Sequence, residues 1–317
     1  ITLAFSSHRP ETLPLAESRM AAHDHVVIEE PPTPEIQQML TGALPVEDYL
    51  LSADYEYPFF AEASARMLRR LHRSGKRIHP CEPFLAHLIR IHDHFTEGRR
   101  PEALQTDSRL WPVYRAERDA TRQLLGFYKA SATGDFDVMV DAACAFAAAD
   151  AARFALRDRL RAQAIAQLLS DHTGNVYIEA GYLHLRLLRE LRRLLPPATP
   201  IRPLYLLREV YRAAAERSHL YNPGDLLTLA LIFNRRPALA RQRLLAARSL
   251  TYNQLVSMDE ALPGGETFPD AREDMRVIRM VNRLSRDDCR RLHTQFQGLD
   301  SLAARRRVVN LPLQTEE

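Results

Sequence analysis

The 317-residue chain is long enough to bury one large core or two smaller ones. Its hydrophobic fraction of 46% and charged fraction of 26% are typical of a globular protein, and a net charge of +3 is too small to indicate a nucleic-acid partner. Three widely separated cysteines, the lack of a signal-peptide pattern and the lack of a long apolar run favour a cytoplasmic protein without a membrane span, for which an oligomer remains open.

The first thirty residues predict a strand, a helix and a second strand. Residues 1–5 form a short apolar run, residues 12–23 have apolar side chains at helical spacing, and residues 25–30 are rich in β-branched side chains. Two strands joined by one helix form a βαβ unit. The two strands are therefore expected to lie parallel and side by side.

Polar side chains follow both of these strands. His8 comes shortly after the first, while Glu29 and Glu30 end the second. Ligands of open α/β sheets bind at the carboxyl ends of parallel strands, so these three side chains form a candidate site. Glu11, in the turn that follows His8, is a candidate further ligand or general base.

The middle of the chain is predicted to be mainly helical, with one short strand. Glu82 lies at the end of that strand, and it is expected to point toward the same edge as His8 and Glu29. The predicted elements are, in order, helices over 33–40 and 46–73, a strand over 77–83, a helix over 84–95, a loop over 98–112, and helices over 113–170 with a break at 130–135.

A further strand is predicted over residues 175–180. Glu179 sits inside this apolar run, where it is either a buried, paired carboxylate or part of the site. Gly181 allows a sharp turn that leads to His184 and a helix. Together with His8 and Glu29, His184 makes a set of two histidines and one carboxylate, which suits a divalent metal.

These elements indicate an α/β protein with a small, mostly parallel sheet, large helical insertions and a helical C-terminal region. The α/β core is expected over residues 1–207, with a helical insertion at about 84–170. Residues 208–317 are expected to form a helical region packed on that core.

The order of these motifs resembles the TraB/Tiki/ChaN superfamily, which includes erythromycin-esterase-like proteins. The segment 181–184 reads GYLH and matches the second GxxH motif of that family, Arg157-Asp158 resembles its arginine-bearing helix, and the end of strand 25–29 resembles its glutamate strand. The first motif departs from the family pattern, because Phe5 stands where the family has glycine. The resemblance covers about residues 1–30 and 150–195.

This resemblance implies a divalent-metal-dependent hydrolase of a peptide or ester bond in some branches and haem binding in the ChaN branch. In the hydrolytic interpretation His8, Glu29 and His184 hold the metal, with manganese, cobalt and zinc not distinguished. The metal lowers the pKa of bound water to about 7 and polarises a carbonyl of a small-molecule or peptide substrate.

The resemblance also implies roles for three further side chains. Glu11 or Glu30 would accept the proton from the attacking water. Arg157 would stabilise an oxyanion or orient a carboxylate.

Structural roles compete with these functional ones. His8 could instead cap the following helix, and Arg157 could make only a structural ion pair with Glu29 or Glu179. The departure at Phe5 leaves a third function open, that of a family member that binds a ligand without catalysis.

An aromatic cluster also follows the second predicted strand. Tyr55, Tyr57, Phe59 and Phe60 are expected to form core or the wall of a pocket. An aromatic lining of this kind would suit a haem or an apolar substrate.

Overall fold

The computed structural model describes residues 1–51, 55–170, 173–215, 221–257, 267–296 and 298–309. The chain divides into two compact units. The first consists of Ile1–Arg115 and Phe154–Val210, and the second consists of Ala116–Arg153 and the described residues from Tyr211 onward. The expected α/β class is confirmed, since a small parallel sheet is accompanied by many helices.

The described elements alternate between strands and helices in the first half and are helical in the last third. The strands are β1 (Thr2–Ser6), β2 (His25–Ile28), β3 (Arg77–Pro80), β4 (Val176–Gly181) and β5 (Arg202–Tyr205). The helices are α1 (Leu13–Ala21), α2 (Pro34–Thr41), α3 (Val46–Leu50), α4 (Pro58–Arg73), α5 (Pro83–Thr96), α6 (Leu110–Thr133), α7 (Phe136–Ser170), α8 (Leu185–Leu194), α9 (Leu206–Ala215), α10 (Pro223–Ile232), α11 (Leu239–Leu255), α12 (Pro269–Val281), α13 (Arg286–Phe296) and α14 (Ser301–Val309). None of these described helices is both long and apolar enough to cross a lipid bilayer.

The five strands are parallel and lie in the order β3-β2-β4-β1-β5. The prediction that β1 and β2 are neighbours is wrong, because β4 lies between them. Ile178 pairs with Leu3 of β1 on one side and with Val27 of β2 on the other. The β1-α1-β2 connection therefore leaves room for one strand between β1 and β2. The sequence of the first thirty residues could not predict this, because β4 comes about 150 residues later in the chain.

The sheet is covered by helices on both faces, as expected for parallel strands. On one face Val26 and Tyr177 belong to a core shared with α1, α2 and α4. On the other face Val27 and Ile178 belong to a core shared with α8 and the last part of α7. Successive strand residues therefore alternate between the two cores, as the period of a strand requires.

The second half of α7 carries charged side chains on the face that it buries. Asp158 and Arg161 are buried there beside Ala162 and Ile165, whose apolar side chains pack into the same core as Ile178. Burial of these two apolar residues orients the helix. This orientation of the helix also fixes where the side chains of Asp158 and Arg161, one turn earlier, point.

The second unit has a helical core of its own, built on α11 and α12. Leu250, Leu255 and Val277 are buried in this core. Asp274 accepts hydrogen bonds from the hydroxyl groups of two tyrosines at 2.9 and 2.6 Å. The catalytic candidates of the sequence analysis all lie in the first unit.

Candidate functional site

Polar residues follow four of the five described strands at their carboxyl ends. His8 follows β1, Glu29 and Glu30 follow β2, Glu82 follows β3, and His184 follows β4. The register sets these strand ends in line, with Ser6 opposite Gly181 and Ile28 opposite Pro80. The side chains nevertheless form two separate groups, an ion-pair cluster and the wall of a cavity.

Glu29 is the centre of the ion-pair cluster. Its Oε1 lies 3.2 Å from Arg157 Nη2 and 3.0 Å from His184 Nε2. Its Oε2 accepts a hydrogen bond of 2.7 Å from the Gly181 N–H and lies 3.0 Å from Arg161 Nη1. Burial disfavours its charge, but His184 and Arg161 outweigh that effect and hold the pKa of Glu29 well below its usual range.

His184 is held between two carboxylates. Its Nε2 faces Glu29, and its Nδ1 donates to Asp158. Burial opposes protonation of the ring, but the charges of Glu29 and Asp158 raise the pKa of His184 to about 9. At neutral pH this side chain is therefore an imidazolium that donates from both nitrogens.

Gly181 permits this close packing. A Cβ at this position would lie 3.2 Å from His184 Cδ2 and 3.7 Å from Glu29 Oε2. The shorter distance is tighter than ordinary van der Waals contact. Glycine thus lets the end of β4 approach the imidazole and donate its N–H to Glu29.

Arg161 joins three strand ends to α7. Its side chain is fully buried, its Nε donates to the carbonyl of Cys81 at 2.9 Å, and its Nη2 donates to the carbonyl of Glu179 at 2.6 Å. With the contact to Glu29, one guanidinium bridges the ends of β2, β3 and β4. The rigid fork of arginine suits such a role, whereas lysine offers a single point charge.

Glu82 completes the cluster. It is fully buried, with Oε1 3.6 Å from Arg157 Nε and Oε2 3.9 Å from Arg161 Nε. Neither oxygen has a hydrogen-bond partner among the described residues, so ionic attraction to the two arginines offsets its burial. Arg157 pairs with Glu29 as well, which is the structural role that competes with oxyanion binding.

The proposed metal ligands do not fit a metal in this arrangement. Carboxylates occupy both nitrogens of His184, and arginines, His184 and a backbone N–H occupy both oxygens of Glu29. His8 instead stacks on Phe60, with ring centroids 5.1 Å apart. Within the described ranges no group of three or more His, Cys, Asp or Glu side chains is arranged to hold a metal ion. The metal stays a prediction.

A cavity of about 280 Å³ lies on the face of the sheet that α2 and α4 cover. Its lining includes His8 and Glu30 but not Glu29, Arg157 or His184. The pKa values of His8 and Glu30 are shifted in opposite directions from their usual ranges. Desolvation of the imidazole lowers the pKa of His8, although Glu29 opposes this, whereas burial and the nearby charge of Glu179 raise the pKa of Glu30 to about 7.

The aromatic cluster was expected to be core or pocket wall, and three of its members line this cavity. Tyr55, Tyr57 and Phe60 form part of the lining, together with Tyr49 from α3. Phe59 lies elsewhere, with 48% of its surface exposed.

Two further predicted site residues lie outside the cavity lining. Glu11 is half-buried in the 3-10 turn Pro10–Thr12. Glu179 is half-buried and shares the strand face of Tyr177, and burial and the charge of Glu29 raise its pKa to about 7. Glu179 is thus a second carboxyl that titrates near neutral pH beside Glu30.

Arg161 and Asp158 are two site residues that the sequence motifs did not reveal as such. Both are buried, and both hold site residues in place, the first through Glu29 and the second through His184. Their spacing was an available signal, since Arg157 and Arg161 are one helical turn apart and share a face. Charged residues at that spacing on an otherwise apolar helix face indicate a buried ion-pair network.

The raised pKa of His184 predicts a pH dependence of stability. A base whose pKa rises on folding, here from 6.5 to about 9, stabilises the protein fully below pH 6.5 and loses that contribution as the pH rises through 9. The free energy of unfolding should therefore fall by roughly 3 kcal/mol across this window. Urea denaturation at a series of pH values measures this change in the free energy of unfolding.

Two variants separate this effect from other titrations. His184→Gln should be less stable than the wild type, but its stability should change less across the same pH window. His92→Gln, at an exposed position of α5, should keep the wild-type pH dependence. Equal slopes in the wild type and His184→Gln would show that the imidazolium is not held by its two carboxylates.

An uncharacterised protein of Archaeoglobus fulgidus is 28% identical to this chain over 295 residues, which cover 93% of this chain and 98% of that protein. No family model matches the chain. No solved structure matches it either. The two proteins are thus similar along nearly their whole lengths, and the relative's description carries no activity over to this chain.

Proposed function

We propose that the protein is a hydrolase of an ester or peptide bond in a small substrate and that the reaction takes place in the cavity lined by His8 and Glu30. The observation that carries the proposal is the position of this cavity, because it holds a histidine and a carboxyl at the carboxyl ends of β1 and β2. Their opposite pKa shifts support an assignment as base and acid.

In the proposed reaction the neutral imidazole of His8 accepts a proton from a water molecule. The water oxygen forms a bond to the carbonyl carbon of the substrate, and the carbonyl π electrons move to its oxygen. When the tetrahedral intermediate collapses, the bond to the alcohol or amine leaving group breaks. The leaving group takes a proton from the Glu30 carboxyl, and proton transfer from the imidazolium of His8 restores that carboxyl.

The ion-pair cluster has a positioning role in this proposal. Four groups contact the carboxylate of Glu29, namely Arg157, Arg161, His184 and the backbone N–H of Gly181. Fixing Glu29 also fixes the backbone of the next residue, Glu30, on the cavity wall. Support of this kind keeps an acid within reach of a bound substrate.

Haem binding, the alternative implied by the ChaN branch, has less support. The cavity of about 280 Å³ is slightly smaller than the range of about 300–1,000 Å³ for small-molecule sites, which favours a smaller ligand. Its wall also carries the carboxyl of Glu30, which a mainly apolar cofactor face would desolvate further.

The test is a panel of p-nitrophenyl esters of increasing acyl length and of peptide p-nitroanilides, assayed with protein dialysed against a chelator. Hydrolysis of at least one member is expected, with a kcat/KM that falls at acidic pH, where His8 becomes protonated although burial lowers its pKa. Hydrolysis that requires added manganese, cobalt or zinc would support the metal-dependent alternative against this mechanism. No hydrolysis with or without metal would contradict the proposal and favour a binding function.

A further inference from the structure

The cavity wall is unusually rich in aromatic rings for its size. Four rings line it, those of Tyr49, Tyr55, Tyr57 and Phe60. Tyr49 and Tyr55 contact each other with ring centroids 6.4 Å apart and planes tilted by 49°. The face of an aromatic ring carries negative potential, so a small space with four rings in its wall favours a cation.

The charges on the wall favour a cation as well. Two carboxyl groups line the cavity, those of Glu30 and Glu56, and its lining within the described residues includes no lysine or arginine. Glu30 lies close enough to the rings that, after burial, its charge is the largest electrostatic cause that raises the pKa of Tyr49. Burial likewise raises the pKa of Tyr55, so Tyr49 and Tyr55 both remain neutral phenols at neutral pH.

One ring at this site already binds a cation in the structure. The guanidinium carbon of Arg9 lies 5.5 Å from the centroid of Tyr57. Arg9 is outside the cavity lining, so this contact covers Tyr57 from the surrounding protein. It shows that the position of this ring is compatible with cation–π binding.

We infer that the cavity binds a compact organic cation, a quaternary or tertiary ammonium group, as part of the substrate. This inference rests on the proposed function only in that the bound cation is taken to be part of the molecule that is hydrolysed. The chemical class of the ligand follows from the lining of the cavity of about 280 Å³. Four aromatic rings and two carboxyl groups line it, and no lysine or arginine is among the described lining residues. A neutral apolar group would fill the same space without using the carboxyl groups.

Choline and its neutral isostere, in which a tert-butyl group replaces the trimethylammonium group, test the charge preference directly. Isothermal titration calorimetry is expected to give at least about tenfold tighter binding of choline, since cation–π contacts and the Glu56 carboxylate act only on the charged ligand. Glu56→Gln and Phe60→Leu should each weaken choline binding by about 3- to 10-fold and change binding of the isostere less.

Glu56 is exposed, so Glu56→Gln tests the charge without a risk to folding. The matched controls are Glu102→Gln, an exposed carboxylate in the turn Pro101–Thr106, and Tyr128→Leu, an aromatic ring of α6 with 57% of its surface exposed. Both controls should bind choline as the wild type does. Equal affinity for choline and its isostere, or no binding of either, would overturn the inference, as would unchanged choline affinity in Glu56→Gln and Phe60→Leu.

The acetate esters of the two alcohols separate this inference from the proposed function. Faster hydrolysis of the choline ester, by kcat/KM, would support both. Selective choline binding without hydrolysis of either ester would keep the cation site and contradict the hydrolase. Equal hydrolysis of the two esters without a binding preference would keep the hydrolase and overturn the cation site.

Discussion

Replacing Arg161 with methionine is expected to lower the free energy of unfolding of the first unit by about 3–5 kcal/mol. The substitution keeps most of the side-chain volume but removes a buried positive charge that faces Glu29 and Glu82. It also leaves the carbonyls of Cys81 and Glu179 without their guanidinium donor. Breaking a buried ion pair from one side is costly because the remaining charge stays buried.

Urea unfolding followed by tryptophan fluorescence can measure this effect. Trp111 is the single tryptophan of the chain and belongs to the first unit, so its emission reports on the unit that holds the site. The control is Arg159→Met, an exposed arginine on the same helix, which should change stability by less than about 0.5 kcal/mol. A loss below about 1 kcal/mol for Arg161→Met would show that the cluster does not hold the strand ends together.

A double substitution tests the reason for the loss. If the uncompensated charge of Glu82 causes part of it, adding Glu82→Gln to Arg161→Met should recover some of the lost stability. Independent effects would instead add, because additivity holds for residues that do not interact. Recovery therefore distinguishes buried charge from a simple packing defect.

The fold class could be predicted because it depends on local patterns of apolar and turn residues along the sequence. Most strands and helices and the break between α6 and α7 follow from apolar periodicity and from turn residues, and the structure confirms them. Two predictions were wrong in detail, because the helix expected over 46–73 is divided into α3 and α4, and the loop expected over 98–112 contains a 3-10 turn and the start of α6. The order of strands could not be predicted. Pairing of β4 with both β1 and β2 depends on contacts between residues such as Ile178 and Leu3, which are distant in sequence.

The position of the candidate site could be predicted, but its division into two groups could not. Strand ends placed His8, Glu29 and His184 at one edge of the sheet. Which of them touch depends on α7, since Arg161 and Asp158 engage Glu29 and His184. The strand pattern contains no information about that helix, so the sequence interpretation treated the three side chains as one ligand set.

The resemblance to the arginine-bearing helix was informative about structure rather than about chemistry. Arg157 contacts Glu29 and Glu82, and Asp158 contacts His184. In this chain the two adjacent residues thus each hold a different strand end, one at the glutamate that follows β2 and one at the turn that follows β4. Glu30 directly follows Glu29 in the chain, so this support also places its backbone on the cavity wall.

Replacing His8 with glutamine is expected to lower kcat/KM for the preferred ester by about 100- to 10,000-fold, the range for loss of a general base. Glutamine can hydrogen-bond from this position but cannot accept the proton of the attacking water at neutral pH. The decline of wild-type activity at acidic pH, where His8 becomes protonated, should also disappear from the residual activity. Stopped-flow or steady-state assays at several pH values measure both effects on the same preparation.

The control for this substitution is His92→Gln, which alters an exposed histidine of α5 and should leave both the rate and its pH profile unchanged. Tryptophan-detected unfolding of the His8 variant should match that of the wild type within about 1 kcal/mol, because His8 lies on the cavity wall rather than in either core. A stable His8→Gln protein that hydrolyses the ester within about threefold of the wild-type rate would remove His8 as the base. Water activation would then fall to another titratable group of the same wall, and Glu30 is the next candidate because burial and the charge of Glu179 bring its pKa to about 7.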